Sequence, residues 1–255
     1  MTKRKGAVLY RGPSAIDGSP IVVVATGLEA GGSKNLKTGG MVQTWILADT
    51  PESPYQVAQS GADRSVCGDC PHRGTVEWGR NVGRSCYVTL IHGPRGAHAK
   101  LKRGGYPQVA WEGLAPLFRG RVVRIGAYGD PGAVPDAARF WSEVVREAKA
   151  WTGYTHRWRD TGEGLQGLVM ASADSLGDYE EAKARGWRTF RVMRAAESAL
   201  PGAEVICPAS AEAGKRTTCM DCTLCMGQSR PARDVAIVVH GTGTKHFVGR
   251  KLPTV

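Results

Sequence analysis

The sequence predicts an α/β protein built on parallel strands, arranged as a full or partial (β/α) barrel with a loop-rich, cysteine-bearing amino-terminal part. In the second half of the chain, strand-like segments alternate with helix-like segments, which is typical of βαβ units. Strands are expected there at residues 121–128, 153–155, 165–171, 187–193, 204–206 and 234–239. Helices are expected at residues 135–151 and 177–185.

The first hundred residues are less regular. β-Branched and aromatic content predicts three strands, at residues 21–25, 43–48 and 86–91. Residues 27–40 form a loop rich in Gly and Lys, and residues 60–84 carry the first cysteines among turn residues. Short helices are expected at 95–103 and 108–118. We expect a loop-rich part at 1–106 and a βα-repeat part at 107–255, together forming one compact domain.

Composition and charge indicate which classes of protein the sequence fits. The 255 residues are 42% hydrophobic, which is ordinary for a soluble protein with a full core. No apolar run approaches the roughly 18 residues that span a membrane. The basic start is followed by no signal-peptide stretch, so a cytoplasmic location and no membrane contact are expected. The formal charge of +11 suits a polyanion, so nucleic acid or a nucleotide is the expected partner.

The seven cysteines are the most informative residues. An odd number of cysteines without an export signal argues against a disulfide framework. They divide into a three-cysteine group and a four-cysteine group. The members are Cys67, Cys70 and Cys86 in the first group, and Cys207, Cys219, Cys222 and Cys225 in the second.

The four-cysteine group has the more specific spacing. Its CMDCTLC segment places three thiols two residues apart, and the remote Cys207 is followed by Pro208. A cubane iron–sulfur cluster suits this pattern because each sulfur can bind a different iron. A tetrahedral zinc ion, which usually takes two separate CxxC pairs, is the alternative, and unligated thiols are a third interpretation.

The three-cysteine group leaves two interpretations open. His72 or His92 could complete a zinc site with Cys67, Cys70 and Cys86. Otherwise the three thiols hold a [4Fe-4S] cluster whose fourth iron stays open to a small ligand. In that case the three cysteines are the cofactor-binding residues.

Polar residues follow several of the expected strands. Asp130, His156, Asp174, Cys207 and His240 each come shortly after one of them. Because the carboxyl ends of parallel strands share one face, these side chains are expected at a common site. Taken singly, Asp130 before Pro131 is a good turn former, and Asp174 could cap the helix at 177–185. Taken together, Asp130, His156 and Asp174 are the candidate catalytic residues.

An ordered set of motifs carries a family resemblance. The motifs are Lys37-Thr38-Gly39, QTWIL, CGDCPHRG, SCYV, RIGAYGDP, GYTH, ASAD, CPAS and CMDCTLC. This set resembles a family of uncharacterised phage and plasmid proteins and, more distantly, the radical S-adenosylmethionine barrels. The resemblance implies a phage-encoded barrel with one cluster on the three-cysteine group and an auxiliary cluster on the four-cysteine group. It implies S-adenosylmethionine as a cofactor, although the gaps of two and fifteen residues differ from the compact CxxxCxxC motif of that family.

Three functional hypotheses follow. The leading one is an iron–sulfur protein with one or two [4Fe-4S] clusters, acting as a radical-type or redox enzyme on a nucleic-acid or nucleotide substrate. The alternative is a non-enzymatic, zinc-bound protein that binds nucleic acid or acts in host takeover. A metal-free thiol redox protein is the third.

Overall fold

The computed structural model describes residues 5–29, 32, 35–161 and 164–247. The strands are β1 (Gly6–Pro13), β2 (Pro20–Thr26), β3 (Val42–Ala48), β4 (Thr75–Glu77), β5 (Arg80–Val82), β6 (Val122–Tyr128), β7 (Ala150–Thr155), β8 (Met170–Ala173), β9 (Thr189–Met193), β10 (Glu204–Ile206) and β11 (Asp234–Val238). The helices are α1 (Pro54–Ser60), α2 (Arg64–Cys67), α3 (Gly93–Lys102), α4 (Leu114–Leu117), α5 (Ala137–Val145), α6 (Leu176–Ala184) and α7 (Cys219–Cys222).

Nine of these strands form one sheet in the order β1-β2-β3-β6-β7-β8-β9-β11-β10, and β4 and β5 form a separate hairpin. Strand β2 pairs antiparallel with β1 on one side and with β3 on the other. Every pairing from β3 across to β10 is parallel. The prediction of an α/β fold with parallel strands is therefore confirmed. The same sheet crosses the expected division at residue 106, because β3 pairs with β6.

The two faces of the sheet have different neighbours. Successive side chains of a strand point to opposite faces. On β6, Ile125 is fully buried in the main core, which also contains Trp141 of α5. Its neighbour Arg124 lines a cavity instead. Trp141 of α5 and the main core thus lie on one face of β6, and the cavity lies on the other.

Strand β1 was not expected from the sequence. It forms an antiparallel hairpin with β2, closed by a 2.8 Å hydrogen bond from the Ser14 amide to the Ser19 carbonyl. A register shift between Val8 and Tyr10 interrupts the ladder. Glycine and proline at both ends of this segment resemble a loop, so only the pairing with β2 reveals the strand.

The strand expected at 86–91 is wrong, since the structure has bends and a turn there. The Cys86 amide donates to the His72 carbonyl over 3.1 Å, so this backbone is held by a loop and not by a strand edge. The helix expected at 135–151 is too long, because α5 ends at Val145 and Trp151 pairs with Val123 in the sheet. The segment 165–171 begins as a 3₁₀ turn, Leu165–Gly167, before β8.

No helix among the residues described is long and apolar enough to cross a membrane.

Candidate functional site: a cavity between two cysteine groups

A cavity of about 250 Å³ lies against one face of the sheet. Cys67, Cys70 and Cys86 line it, and so do Cys207 and Cys219 from the other cysteine group. Small-molecule sites usually measure ~300–1,000 Å³, so this cavity suits a small molecule or one end of a larger one. Segments more than a hundred residues apart in sequence therefore present thiols to one space.

The three-cysteine group lies on a loop that is held by one buried carboxylate. Asp63 is fully buried, and its oxygens accept from Arg73 at 2.7 Å and from Arg84 at 3.2 Å. Arg73 also donates to the carbonyls of Gly61 and Gly68. Because Arg73 follows Cys70 and Arg84 precedes Cys86, Asp63 ties both arms of the loop together.

The fifteen residues between Cys70 and Cys86 contain the β4–β5 hairpin. At its base, the His72 carbonyl accepts from the amides of Ser85 (3.2 Å) and Cys86 (3.1 Å). At its tip, Trp78 is fully exposed and has a φ of 50°, and the following Gly79 has a φ of 75°. The hairpin thus projects outward, while its base brings Cys86 back beside Cys70.

Burial raises the pKa values of two thiols in this loop. It raises the pKa of Cys67 well above its usual value, and Asp63 and the neighbouring thiols act in the same direction. Burial also raises the pKa of Cys86, although the Arg84 guanidinium opposes it. These thiols therefore keep their protons at neutral pH unless a bound metal displaces them.

The four-cysteine group is held by backbone contacts. Cys207 follows β10, and its amide donates to the Ala236 carbonyl of β11 over 2.8 Å. Cys219 begins α7, and its amide donates to the Lys37 carbonyl over 2.9 Å. The Thr218 side chain caps α7 by accepting from the Asp221 amide. The loop before β3 and the segment after β10 thus position these cysteines jointly.

The guanidinium of Arg188 holds the segment that follows α7 through hydrogen bonds to its backbone. Arg188 is 7% exposed, and it donates to four carbonyls at 2.6 to 3.1 Å. The four carbonyls belong to Leu224, Gly227, Arg230 and Arg233. A charged donor of this kind satisfies backbone oxygens that would otherwise be buried without partners.

The four-cysteine group also packs into apolar surroundings. Cys207 and Cys225 are buried in a cluster with Met170, Val235 and Ile237. Burial raises the pKa of Cys225 to about 12, although a hydrogen bond with Tyr154 opposes the shift. The group is therefore part of a small second core.

Two histidines and one aspartate near the cysteines place their possible metal-ligand atoms close together. Among the described residues, His72, His156 and Asp174 form a set of three possible metal ligands whose ligand atoms all lie within 4.8 Å of one another. The five thiols that line the cavity are not part of this set.

Asp174 bridges two histidines beside Cys70. His72 Nε2 lies 2.8 Å from Asp174 Oδ1, and His156 Nε2 lies 3.1 Å from Asp174 Oδ2. The Ser85 hydroxyl holds the other nitrogen of His72 at 2.8 Å. His72 and His156 line the cavity, whereas Asp174 lies behind them. Asp174 therefore reaches the cavity only through the two imidazoles.

The electrostatics of this group follow from its burial and its charges. Burial disfavours the Asp174 carboxylate, but His156 and His72 outweigh it and hold the pKa of Asp174 well below its usual range. Burial also disfavours the His156 imidazolium, but Cys70 and Asp174 outweigh it and raise the pKa of His156 well above its usual value. Both pKa shifts favour an imidazolium at His156 beside a carboxylate at Asp174.

Asp130 lines the cavity with its carboxylate engaged. Oδ1 accepts from the Gly132 amide (2.8 Å) and the Thr155 hydroxyl (2.7 Å), and Oδ2 accepts from the His156 amide (2.7 Å). The Asp130 amide donates to the Val66 carbonyl over 2.6 Å, next to Cys67. Asp130 thus fixes the ends of β6 and β7 against the three-cysteine loop.

The structure brings most of the expected site residues to one place. Five cysteines, Asp130, His156 and His240 line the cavity; Cys222 and Cys225 are among the residues that do not, and Asp174 lies behind its histidines. His92 is exposed and is not among the lining residues. The sequence analysis missed Arg124, although a charged residue inside the strand-like run RVVRIGAY was a usable signal.

The likeness to phage and plasmid proteins and to radical S-adenosylmethionine barrels stays a prediction from sequence motifs. No protein-family model, curated protein or solved structure matches the chain.

Proposed function

We propose that this protein is an iron–sulfur enzyme that carries out redox or radical-type chemistry on a nucleotide-like substrate in the cavity between its cysteine groups. The observation that carries the proposal is the convergence of five thiols, from two separate cysteine groups, on one cavity beside Asp130 and His156. Two metal sites that only stabilise loops would not need to line the same cavity of ligand size.

The residues present fit two clusters. Cys67, Cys70 and Cys86 would hold one [4Fe-4S] cluster, and three ligands leave a fourth position for a small molecule. Cys207, Cys219, Cys222 and Cys225 would hold the second. A bound cluster supplies one-electron chemistry and, at an open iron, a position for cofactor or substrate, for which S-adenosylmethionine is a candidate.

The sequence spacing of the thiols supports iron–sulfur clusters over zinc. The CMDCTLC segment places Cys219, Cys222 and Cys225 two residues apart. One tetrahedral zinc ion usually takes two separate CxxC pairs, whereas each thiolate of such a run can bind a different iron of a cluster.

The chain's own residues have separable roles in this proposal. His156 Nε2 lies 3.1 Å from Asp174 Oδ2 and the ring faces the cavity, so His156 is the candidate acid or base. Asp174 and Asp130 are positioning residues, because one holds the His156 ring and the other holds the His156 amide. His72 completes the support from the other side of Asp174.

Anaerobic purification with iron, sulfide and zinc analysis tests the proposal. We expect a brown protein with about eight iron and eight sulfide per chain, falling to about four of each in either Cys86→Ala or Cys222→Ala. Arg95→Ala, on the exposed surface of α3, is the control and should retain the full content. Colourless protein with stoichiometric zinc would contradict the proposal and favour the zinc-bound nucleic-acid-binding alternative.

A further inference from the structure

One wall of the cavity carries two cations that form no salt bridge with a carboxylate of the described residues. Arg124 projects from the middle of β6, and Lys37 comes from the loop before β3. The Arg124 guanidinium contacts the Tyr87 hydroxyl and stacks 5.8 Å from the Tyr87 ring. Lys37 Nζ lies 3.2 Å from His240 Nε2. Within residues 5–29, 32, 35–161 and 164–247, no carboxylate forms an ion pair with either cation.

Other enclosed arginines of this protein have several partners for their terminal nitrogens, although Arg188 Nε has none in the part of the chain that the structure describes. Arg191 pairs with Glu204 at 2.7 Å, and Arg159 pairs with Asp178 at 2.7 Å. Arg188 has no carboxylate but donates to four carbonyls. A guanidinium has five N–H donors, and the Tyr87 hydroxyl takes one of those of Arg124. The donors that remain point to a ligand that accepts several hydrogen bonds.

The rest of this wall is aromatic. Tyr87, Tyr154 and Phe190 line the cavity, and the rings of Tyr154 and Phe190 lie 4.3 Å apart. Aromatic faces bind flat, apolar groups well. The wall thus offers an apolar surface for a planar group next to a cationic corner for an anion.

We propose that Arg124 and Lys37 form an anion-binding subsite that holds the phosphate or carboxylate group of a planar substrate. The inference deepens the proposed function, on which it rests in placing the substrate in this cavity. Two oxygens of a carboxylate or a phosphate match the fork of a guanidinium, and a neighbouring ammonium adds a further charge-assisted hydrogen bond. The competing interpretation is that the two cations act only on the Cys219 thiol, since both oppose the rise that burial causes in its pKa.

Titration calorimetry on the purified full-length protein separates these interpretations. The probes are adenosine 5′-monophosphate against adenosine, and benzoate against benzamide, so that each anion has a neutral analogue. We expect at least one anion to bind about tenfold or more tightly than its analogue, with affinity falling as salt rises. Preference for the monophosphate identifies a phosphate ligand, and preference for benzoate identifies a carboxylate. Equal binding of anion and analogue in both pairs overturns the proposal.

Variants assign the effect to the subsite. Arg124→Gln and Lys37→Gln should each abolish most of the preference for the anion, and Arg124→Lys should restore part of it. Arg95→Gln removes the same charge from α3, outside the cavity, and should change affinity less than twofold. If Arg124→Gln fails to fold, Lys37→Gln and Arg124→Lys decide the matter. A preference that survives in these variants overturns the proposal, even if they lose iron.

The outcome is separable from that of the proposed function, because anion binding is measured without turnover. A protein that contains zinc and still shows the Arg124-dependent preference would retain the subsite and refute the iron–sulfur assignment. A protein that contains both clusters but binds each anion and its neutral analogue equally would refute the subsite and retain the iron–sulfur assignment.

Discussion

The two cysteine groups face the same cavity but are built differently. The three-cysteine loop is held by ion pairs from Asp63 and carries an exposed hairpin. The four-cysteine segment is held by Arg188 and packs against apolar side chains of the sheet. If both groups bind clusters as proposed, the charged contacts of the first loop suit a centre that exchanges ligands, and the small core suits a centre that stays in place. We therefore expect reactivity at the first group and stable binding at the second.

The largest expected effect is from Asp63→Asn. The substitution leaves the guanidiniums of Arg73 and Arg84 without their carboxylate in a buried position, and should lower the free energy of unfolding by about 3 kcal/mol. Urea unfolding measures it. The comparison predicts loss of about four iron, all from the three-cysteine group. Loss of iron from Cys207, Cys219, Cys222 and Cys225 instead would show that the two regions are not independent.

Arg188→Ala is the corresponding change in the other region. It leaves four carbonyls without their donor and should lower the free energy of unfolding by about 2–3 kcal/mol, because buried acceptors lose hydrogen bonds to a charge. Thermal unfolding followed by circular dichroism gives the shift. The exposed Arg185→Ala is the control, expected within about 0.5 kcal/mol. Equal decreases in the free energy of unfolding for Arg188→Ala and Arg185→Ala would contradict a special stabilising role for Arg188.

Asp130→Asn acts between the two regions. An amide in place of the carboxylate can no longer accept from Gly132, Thr155 and His156 together, so the free energy of unfolding should fall by about 1–2 kcal/mol. Iron and sulfide content should stay unchanged, since Asp130 is proposed to position His156 and not to bind metal. A parallel loss of iron would make Asp130 a ligand or a determinant of the cysteine loop.

The smallest effect is expected at the hairpin tip. Trp78 is fully exposed with a positive φ, a conformation that asparagine adopts more readily than tryptophan. Trp78→Asn should therefore raise the free energy of unfolding by about 0.5 kcal/mol, with iron content unchanged. A decrease measured by urea unfolding would mean that the indole makes a stabilising contact on this outward face.

The sequence predicted the parts of the fold that depend on local pattern. The β-branched runs of β2, β3, β6 and β11 and the helix α6 lie within a few residues of their expected positions. The segment 86–91 has a similar composition but no strand partner, so composition alone predicted it wrongly. Strand β1 was missed for the converse reason, because its partner β2 decides it.

For the candidate site, too, the sequence predicted only those features that depend on local pattern. Cysteine spacing indicated the two groups, and strand ends indicated Asp130, His156 and Asp174. That the groups share one cavity depends on tertiary contacts such as Cys219 to Lys37 and Asp130 to Val66, which no local pattern encodes. The bridging of His72 and His156 by Asp174 likewise joins residues from distant loops.

The hairpin between Cys70 and Cys86 has a consequence for how such proteins are recognised. Its ends are fastened by Asp63 and by the His72 carbonyl, so the count of residues in between is free of any metal-binding requirement. A change of length at the Trp78–Gly79 tip would leave these contacts in place, whereas Asn81 of β5 is tied to the carbonyls of Ala58 and Arg73. A search for related chains should therefore fix the fastening residues and let the intervening length vary.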